Sequence, residues 1–510
     1  MSIKKRVFVV ILIAVFIIGT FYAGTRSNRE AEENNSLSRF QTETVNLWYS
    51  DESLTDLFTN ASVAFHEKNP DVRVIPTLVT GGEFLEAINE ASIANEGFPD
   101  IYLLTNDSLE KAYMSGLASV VDRQGLVINN TNFPDGAINA VTYDGDKIAY
   151  PLYFETSVLV YNIDYLKDWA EKVNAGESNM DGEMSEEEMN IIESEGSGVA
   201  VNDENAGAVV HEGDVMYEDG IPKNFQDILS LAQEYDTPEG VEGIIKWDVS
   251  DIFYNYFFVG NYLNVGGEAG DDVSNIDVAN NNSVACMQMY QSLHEFFSID
   301  AETSDYNSVV QDFIDGKYIF SIVTSDAIKT LADAKAEMEE EAKAKAAEQA
   351  ENAEGEESEE AEGSEGETVE EPVRTLDYGF ALMPDVSEEL KSRSLSVTDC
   401  LVINRYSEKK DGAAAFAKFL CVDYADQIYA RAGKLAASLD AGYTDDAFTT
   451  FQGEYAKSIP LSKIVEASNL WVQIEVVFKE VWDGADVKTE LNSLQNQLDL
   501  QINRESKTEE

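Results

Sequence analysis

A lone carboxylate among aromatic side chains is the most informative chemical feature of this sequence. Glu155 lies in the segment Tyr143–Asn162, between Phe154 and Thr156. A carboxylate accepts strong hydrogen bonds from hydroxyl groups, while neighbouring rings pack on apolar C–H surface. This combination suits a polyhydroxylated ligand. The alternative interpretation is a solvent-exposed glutamate on a strand.

The same segment carries a proline that limits how the chain can pair. Pro151 lacks a backbone N–H and holds the preceding Tyr150 extended, so it blocks continuous pairing in a central strand at its own position. A turn at Asp144 leads into the segment, and an apolar run ends it at Asn162. We therefore expect the chain to cross here from one domain to another.

Composition excludes several functions. The chain has 510 residues with a hydrophobic fraction of 44%, which is enough for two or more domains. Its 35 Lys and Arg against 96 Asp and Glu give a net charge of −61, which repels nucleic acids. Cys286, Cys400 and Cys421 fit neither a disulfide framework nor a zinc site, so we expect buried thiols. The scattered histidines lack ligand spacing, and neither a metal nor a cofactor is expected.

The N-terminus reads as an export signal. A basic cluster precedes the uncharged, mostly apolar run Val7–Gly24, which is long enough to span a bilayer. A signal peptidase requires small residues at the −1 and −3 positions, but Phe21 stands two positions before Ala23. Residues 1–24 are therefore predicted to be an uncleaved membrane anchor, with a cleaved signal peptide as the alternative. Residues 25–44 are predicted to be a polar tether.

Strand and helix patterns alternate along the rest of the chain. Val45–Ser50 has strand character, the next apolar residues follow a helical spacing up to Phe65, and the alternation continues to a terminal helix. Such alternation predicts an α/β fold with helices on the faces of a sheet. Two acidic stretches with few apolar residues, 174–220 and 334–371, break the pattern, and we interpret them as solvated low-complexity insertions.

The order of these signatures resembles the bacterial extracellular solute-binding proteins of ABC importers, family 1, the sugar-binding type to which maltose-binding proteins belong. The resemblance extends from Val45 to about Ile502, apart from the two insertions. It is carried by VNLWYS from Val45, GFPDIYLLTNDSLEKAYMSGLASVVD from Gly97, the crossing segment, FIDGKYIFSIVTSDAI from Phe313 and SNLWVQIEVVFKEVWDGADVKTELNSLQNQL from Ser468.

This resemblance implies a two-lobe periplasmic-binding-protein-like fold (type II) with hinge-crossing segments and a ligand enclosed between the lobes. Lobe 1 would comprise residues 45–153 and about 384–440, and lobe 2 residues 154–383 and about 441–505. The implied function is a monomeric, non-enzymatic component outside the cytoplasm that delivers a sugar or oligosaccharide to ABC permease subunits. A binding protein for another organic solute and a ligand sensor are alternatives. An extracellular glycosidase is less favoured, because it would need two positioned carboxylates.

The resemblance also implies carboxylate ligand positions in both predicted lobes, with Asp51 and Asp107 in lobe 1 and Glu155, just after the boundary, in lobe 2. Glu155 falls where the family places a carboxylate that binds sugar hydroxyls, and Asp51 and Asp107 fall at ligand-contacting aspartates. For Asp51 the alternative is a turn residue. For Asp107 the alternative is an N-cap, because Glu110 three residues later completes a capping-box pattern.

In the second lobe the implied contacts are mostly aromatic. Trp471 falls at a sugar-stacking position at the start of a late helix, with core packing alongside the neighbouring valines as the alternative. Phe253 and Tyr254 are further stacking candidates that could equally be core residues. Asp326 stands where sugar binders often carry an aromatic residue, so a polar contact is expected there.

Two positions depart from the maltose-binding pattern. Leu104 stands where a stacking aromatic residue is usual, and Ser108 replaces an arginine beside the ligand aspartate. A strong sugar platform is therefore not expected in the first lobe, and maltose itself is not implied as the ligand.

Overall fold

A computed structural model describes residues 42–176, 215–297, 299–356, 375–465 and 469–505. The predicted anchor, nearly all of the tether and much of both acidic insertions lie outside these described residues. Within the described ranges, no helix combines the length and the apolar character needed to cross a bilayer.

Strands form where β-branched and aromatic residues recur. They are β1 (Glu43–Tyr49), β2 (Val72–Leu78), β3 (Ile101–Thr105), β4 (Thr142–Tyr143), β5 (Asp146–Lys147), β6 (Tyr150–Thr156), β7 (Val158–Asn162), β8 (Gly243–Lys246), β9 (Asn264–Val265), β10 (Ile276–Asp277), β11 (Tyr318–Val323), β12 (Tyr378–Ala381), β13 (Leu395–Ile403), β14 (Leu435–Ala436) and β15 (Ile459–Pro460).

Helices occupy the segments with helical apolar spacing. They are α1 (Thr55–Lys68), α2 (Phe84–Ala94), α3 (Leu109–Met114), α4 (Asp135–Ala140), α5 (Ile163–Ala175), α6 (Phe225–Glu234), α7 (Asn281–Phe297), α8 (Tyr306–Ile314), α9 (Ala327–Glu356), α10 (Lys410–Lys418), α11 (Ile428–Ala432), α12 (Asp446–Lys457), α13 (Leu470–Trp482) and α14 (Val487–Glu505).

The larger sheet has seven strands in the order β14-β6-β13-β3-β1-β2, with β15 paired to β13. Strand β1 pairs in parallel with β2 and β3, whereas β13 runs antiparallel to both β3 and β6. Strands β1, β3 and β6 therefore run in one direction, and their carboxyl ends lie at the same edge of the sheet. Four apolar residues of α1 are buried at the predicted helical spacing, namely Leu57, Phe58, Ala61 and Phe65.

The smaller sheet has four strands in the order β12-β7-β11-β8. Strand β6 of the larger sheet ends at Thr156 and β7 of the smaller sheet begins at Val158, so the chain crosses between the sheets through Ser157. The predicted crossing is thereby confirmed. The register also shifts between Asp399 and Cys400, opposite Pro151, so β6 accommodates the proline through an irregularity in its pairing with β13.

Each sheet is covered by a buried apolar core. The core of the larger sheet includes Phe58, Leu152 and Phe416. The second core covers a face of the smaller sheet and includes Trp247, Tyr290, Trp482 and Leu498, to which α7, α13 and α14 contribute. Both cores follow from amphipathic helices that bury one apolar stripe against a sheet.

A buried carboxylate fixes the segment through which the chain returns to the larger sheet. Glu454 of α12 is fully buried and accepts hydrogen bonds from the backbone N–H of Met383 (3.1 Å) and from the hydroxyl of Ser394 (2.7 Å). These two residues lie near the two ends of the connection between β12 and β13. Tyr455, the residue after Glu454, stacks on Phe154 of β6, with ring centroids 3.9 Å apart. Helix α12 therefore packs at the junction of the two sheets.

The described ends of the predicted insertions pack on the folded body. Val215 is buried, and its backbone N–H and carbonyl form hydrogen bonds of 2.8 Å and 2.9 Å with the side chain of Asn174. In α9, Met338 packs against the core of the larger sheet, and Lys335 pairs with Asp377 at 2.9 Å. Apolar or paired side chains thus continue inside both predicted insertions before the described residues stop.

Candidate functional site

The carboxyl edge of the larger sheet gathers three of the predicted carboxylates, including Glu155, which the predicted boundary at residue 154 assigns to lobe 2. Asp51 follows β1, Asp107 follows β3, and Glu155 is the penultimate residue of β6. Strand ends that share a direction meet at one edge, and ligands of open α/β sheets bind beyond the carboxyl ends of the strands. This edge is therefore the candidate site.

Glu155 is part of an ion pair. Its Oε1 lies 3.1 Å from Nζ of Lys434, which directly precedes β14, and both side chains are partly buried. Burial on its own would lower the pKa of Lys434, but the carboxylates of Glu155, Asp51 and Asp399 outweigh burial and raise this pKa above its usual value. One oxygen of the Glu155 carboxylate is thus committed to a lysine before any ligand binds.

Sequence analysis missed the central acid of this edge. Asp399 lies in β13 between Thr105 of β3 and Tyr153 of β6. Burial and the carboxylates of Glu155 and Asp51 raise the pKa of Asp399 to about 7, although a hydrogen bond from the Tyr153 hydroxyl opposes them. The available signal was an aspartate inside an otherwise apolar strand. We call Asp51, Tyr153, Glu155, Asp399 and Lys434 the edge cluster.

The two predicted aspartates have different local roles. Asp51 accepts a hydrogen bond from the backbone N–H of Ser53 at 2.8 Å, so it has the turn role that was its alternative, while its charge also reaches Asp399. Asp107 instead accepts a hydrogen bond from the hydroxyl of Thr105. These contacts hold both carboxylates at the strand ends.

The capping box predicted as the alternative role of Asp107 does not form. A 3-10 turn, Asn106–Ser108, intervenes, and α3 begins after Ser108 without a side-chain cap. Glu110 accepts hydrogen bonds from the Tyr143 hydroxyl (3.0 Å) and the Val465 N–H (2.9 Å). Glu110 thereby links α3 to the connection that precedes α13.

The carboxyl ends of β8 and β11 carry the lobe 2 candidates. Asp326 follows β11 and accepts hydrogen bonds from the hydroxyls of Tyr306 (2.8 Å) and Thr324. Tyr254 stacks on Tyr306 with ring centroids 4.9 Å apart, and Phe253 meets Tyr254 edge-on at 5.8 Å. Tyr254 is buried while Phe253 is partly exposed, so Phe253 is the more available ring.

Trp471 lies in the first turn of α13, as predicted. Its ring meets Tyr256 at a centroid distance of 5.6 Å and is partly buried against the second core. The neighbouring Val472 and Val476 are 65% and 49% exposed, so they do not form the packing partners predicted as the alternative. One turn later, burial and nearby carboxylates raise the pKa of Glu475.

The structure brings the seven predicted residues together as two groups. Asp51, Asp107 and Glu155 lie on the edge of the larger sheet, and the others lie on the second lobe: Phe253, Tyr254, Asp326 and Trp471. Val323 at the end of β11 pairs with Val158, directly after the crossing, so the strand that leads to Asp326 ends close to Ser157, two residues from Glu155. The Ser157 hydroxyl is buried and has no hydrogen-bond partner within the described part of the chain.

Metal and thiol chemistry find little support at this edge. The described residues contain no cluster of His, Cys, Asp and Glu that could hold a metal ion. The three cysteines are free and buried, as predicted.

Two α/β sheets joined by the Ser157 crossing and by longer connections, with polar and aromatic residues at strand ends, define a two-lobe ligand-binding architecture. The sequence matches the family of bacterial extracellular solute-binding proteins over residues 48–421, more than half of the chain. The chain therefore belongs to that family, and its location is extracytoplasmic. A search of curated proteins finds no match.

Solved structures share the fold at low sequence identity. The extracellular solute-binding protein from Staphylococcus aureus in complex with maltose has a TM-score of 0.65 and 14% identity, covering 91% of this chain and 98% of that chain. A cyclo/maltodextrin-binding protein complexed with maltotetraose has a TM-score of 0.63 and 16% sequence identity, and the match covers 91% of this chain and 98% of that chain. A maltose-binding periplasmic protein from Listeria monocytogenes, in complex with maltose, has a TM-score of 0.61 and 15% sequence identity, and the match again covers 91% of this chain and 98% of that chain. The predicted two-lobe fold is thereby confirmed.

Proposed function

We propose that this protein captures a sugar or oligosaccharide between its two sheets and delivers it to the permease subunits of an ABC importer. The observation that carries the proposal is that Asp51, Asp107 and Glu155 meet at the carboxyl edge of the larger sheet, from which the chain crosses through Ser157 into the sheet of the second lobe. The solved structures of similar fold support the ligand class, because they are complexes with maltose and with maltotetraose.

The proposed binding chemistry divides between the lobes. Asp51, Asp107 and Glu155 accept hydrogen bonds from ligand hydroxyls, while Trp471 and Phe253 pack on the C–H faces of the sugar rings. Tyr254 supports this surface through its stacking on Tyr306, and Asp326 adds a polar contact. The protein performs no catalysis in this proposal.

The proposal extends to organisation and attachment. The predicted lobes are 45–153 with about 384–440 and 154–383 with about 441–505. The separate sheets that contain β6 and β7 support a division into two lobes, but the larger sheet also includes the end of β6, up to Thr156, and β15. We further propose that residues 1–24 anchor a monomer to the outer face of the membrane. An intact mass of the native protein that lacks the first two dozen or so residues would overturn the anchor.

Titration calorimetry tests the binding function directly. The full-length protein, held in a mild detergent, is titrated with neutral and amino saccharides, and the same sugars are incubated with it to detect hydrolysis. We expect at least one saccharide to bind and to be recovered unchanged. Absence of saccharide binding would overturn the proposed ligand class, and hydrolysis would favour the glycosidase alternative.

A further inference from the structure

Three connections between the lobes leave the larger sheet side by side. The first is Ser157, the second runs from β12 to β13, and the third runs from β15 to α13. The strand pairs Thr156–Ser396 and Leu395–Ile459 place the larger-sheet ends of all three next to one another. The second and third connections are much longer than the first. Any rotation of one lobe against the other therefore has to bend these two segments.

The loop between β9 and β10 contacts both of the longer connections. Glu268 of this loop accepts two hydrogen bonds, of 3.0 Å and 2.6 Å, from the guanidinium group of Arg393, near the end of the second connection. The backbone carbonyl of Gly270 accepts a hydrogen bond of 2.7 Å from the backbone N–H of Lys463, in the third connection. We call residues 266–275 the clasp loop.

The clasp loop approaches the third connection through its backbone. A Cβ atom at Gly270 would lie 2.9 Å from Cα of Ser462, and the φ angle of Gly270 is 67°, a left-handed conformation that favours glycine. A Cβ atom at Gly266 would lie 2.9 Å from the side chain of Ile464. Larger residues at these two positions would therefore push the loop away from the connection.

The clasp loop also contacts lobe 1 directly. Oδ2 of Asp271 accepts a hydrogen bond of 2.7 Å from the backbone N–H of Asp144, in the turn between β4 and β5. Val265, just before the clasp loop, belongs to the core of the smaller sheet, whereas Tyr143 packs against the core of the larger sheet. This hydrogen bond therefore joins the two lobes outside the three connections.

We propose that the clasp loop ties the two longer connections to lobe 1 and thereby limits the rotation of the lobes against each other. A rotation that moves the lobes apart at the Asp144 turn has to stretch the hydrogen bond to Asp271, and bending of the second connection strains the pair of Glu268 and Arg393. Contacts that are made in one arrangement and lost in another determine the populations of the two. The inference goes beyond saccharide binding, because it concerns the protein without ligand.

The test measures the distance between two spin labels by double electron–electron resonance, on the full-length protein in detergent without ligand. The labels are attached at Val63→Cys in α1 and Leu500→Cys in α14, which are both 58% exposed and lie on different lobes. The native cysteines are buried, so the introduced thiols are the accessible ones. Glu268→Ala combined with Asp271→Ala should broaden the distance distribution about twofold or add a second population.

Two comparisons separate lost contacts from lost charge. Asp277→Ala combined with Glu302→Ala removes the same two charges from exposed side chains of lobe 2 outside the clasp loop, and it should leave the distribution unchanged. Asp271→Asn alone should behave like wild type, because the amide oxygen of asparagine still accepts the hydrogen bond from the Asp144 N–H.

Thermal unfolding verifies that each variant is folded. A folded Glu268→Ala, Asp271→Ala protein with the wild-type distance distribution would overturn the inference, and so would equal broadening in the charge control. If the double variant does not unfold cooperatively, Glu268→Ala alone decides, because its side chain is 68% exposed and the loop backbone stays in place. Broadening in that variant supports the clasp loop, and an unchanged distribution overturns it.

None of these measurements involves a saccharide. Failure of the clasp loop therefore leaves the proposed binding function intact, and failure of saccharide binding leaves the clasp loop intact.

Discussion

The ammonium group of Lys463 lies 3.0 Å from the backbone carbonyl of Asn139. Lys463 is buried in the connection between β15 and α13, and it also donates a hydrogen bond to the carbonyl of Ala269. Asn139 belongs to α4 beside the larger sheet, whereas Ala269 belongs to the loop between β9 and β10. One buried side chain thus joins segments that are far apart in sequence.

The buried ammonium group of Lys463 predicts how the stability of the protein depends on pH. Burial lowers the pKa of Lys463 to about 8. The unfolded chain therefore binds this proton more tightly than the folded protein, so stability should rise between about pH 8 and about pH 10. We expect the melting temperature of wild type, relative to Lys463→Met, to increase over this range in differential scanning fluorimetry. A difference that stays constant or decreases with pH would contradict the prediction.

The carboxyl group of Asp399 should make the stability of the protein decrease with rising pH, over a lower pH range. Because its pKa is raised to about 7, the folded protein binds the proton more tightly than the unfolded chain. Its contribution to stability is therefore lost as the pH rises from about 4 to about 7. Asp399→Asn should be more stable than wild type at about pH 8, and the two should converge only below about pH 4. The exposed change Asp56→Asn should show no such trend.

Removal of the side chain of Glu155 or of Trp471 should weaken the binding of the ligand found by screening. Glu155→Ala should raise the dissociation constant by about tenfold to a hundredfold through the lost charge-assisted hydrogen bond. Trp471→Ala should have a similar effect through lost ring contact. Val472→Ala, next to Trp471 but largely solvent-exposed, is the control. Unchanged affinity in both variants, or unfolding of Trp471→Ala, would assign these residues a structural role instead.

Glu454 should matter for folding rather than for ligand chemistry. Glu454→Ala leaves the Met383 N–H and the Ser394 hydroxyl without their buried acceptor, which costs about 1–3 kcal/mol for each unpaired group. We expect chemical denaturation to show a clear loss in the free energy of unfolding. Glu388→Ala, an exposed glutamate in the same β12–β13 connection, should have little effect. Equal losses in both variants would refute the role of burial.

The acidic stretches should be removable if their packed ends are kept. Deleting 177–214 and 357–374 leaves Asn174, Val215 and Asp377 with the contacts described above. We expect the shortened protein to unfold cooperatively and to bind the same ligand. A variant that also removes Val215–Gly220 should be less stable, because this turn packs on α5. Loss of the cooperative transition in the first deletion would show that the acidic stretches contribute to the core.

The sequence predicted the helices, the strands and the segment that crosses between the sheets, because apolar periodicity and the effect of Pro151 depend only on neighbouring residues. It placed Glu155 at a sheet junction, and β6 and β7 do belong to different sheets. It did not reveal Asp399 or Lys434 as neighbours of Glu155. Periodicity indicates which face of a strand is buried, but strand order brings together residues hundreds of positions apart.

Local rules also failed where two of them competed. The pattern from Asp107 to Glu110 fits a capping box, but a 3-10 turn shifts the helix start to Leu109 and frees both carboxylates for other contacts. Likewise, Trp471 and its neighbouring valines all look like core residues. The helix leaves Val472 and Val476 exposed, and it buries Leu470, Ile474, Val477, Phe478, Val481 and Trp482.

The single-residue link at Ser157 has a mechanical consequence. Two hydrogen-bonded strands hold its neighbours Thr156 and Val158, so the backbone here has little freedom beyond the φ and ψ angles of Ser157. The other connections between the sheets are longer and can bend over several residues. A rotation of one sheet against the other would therefore be centred close to Ser157, and a group bound beside it would move least while the outer rims would travel furthest.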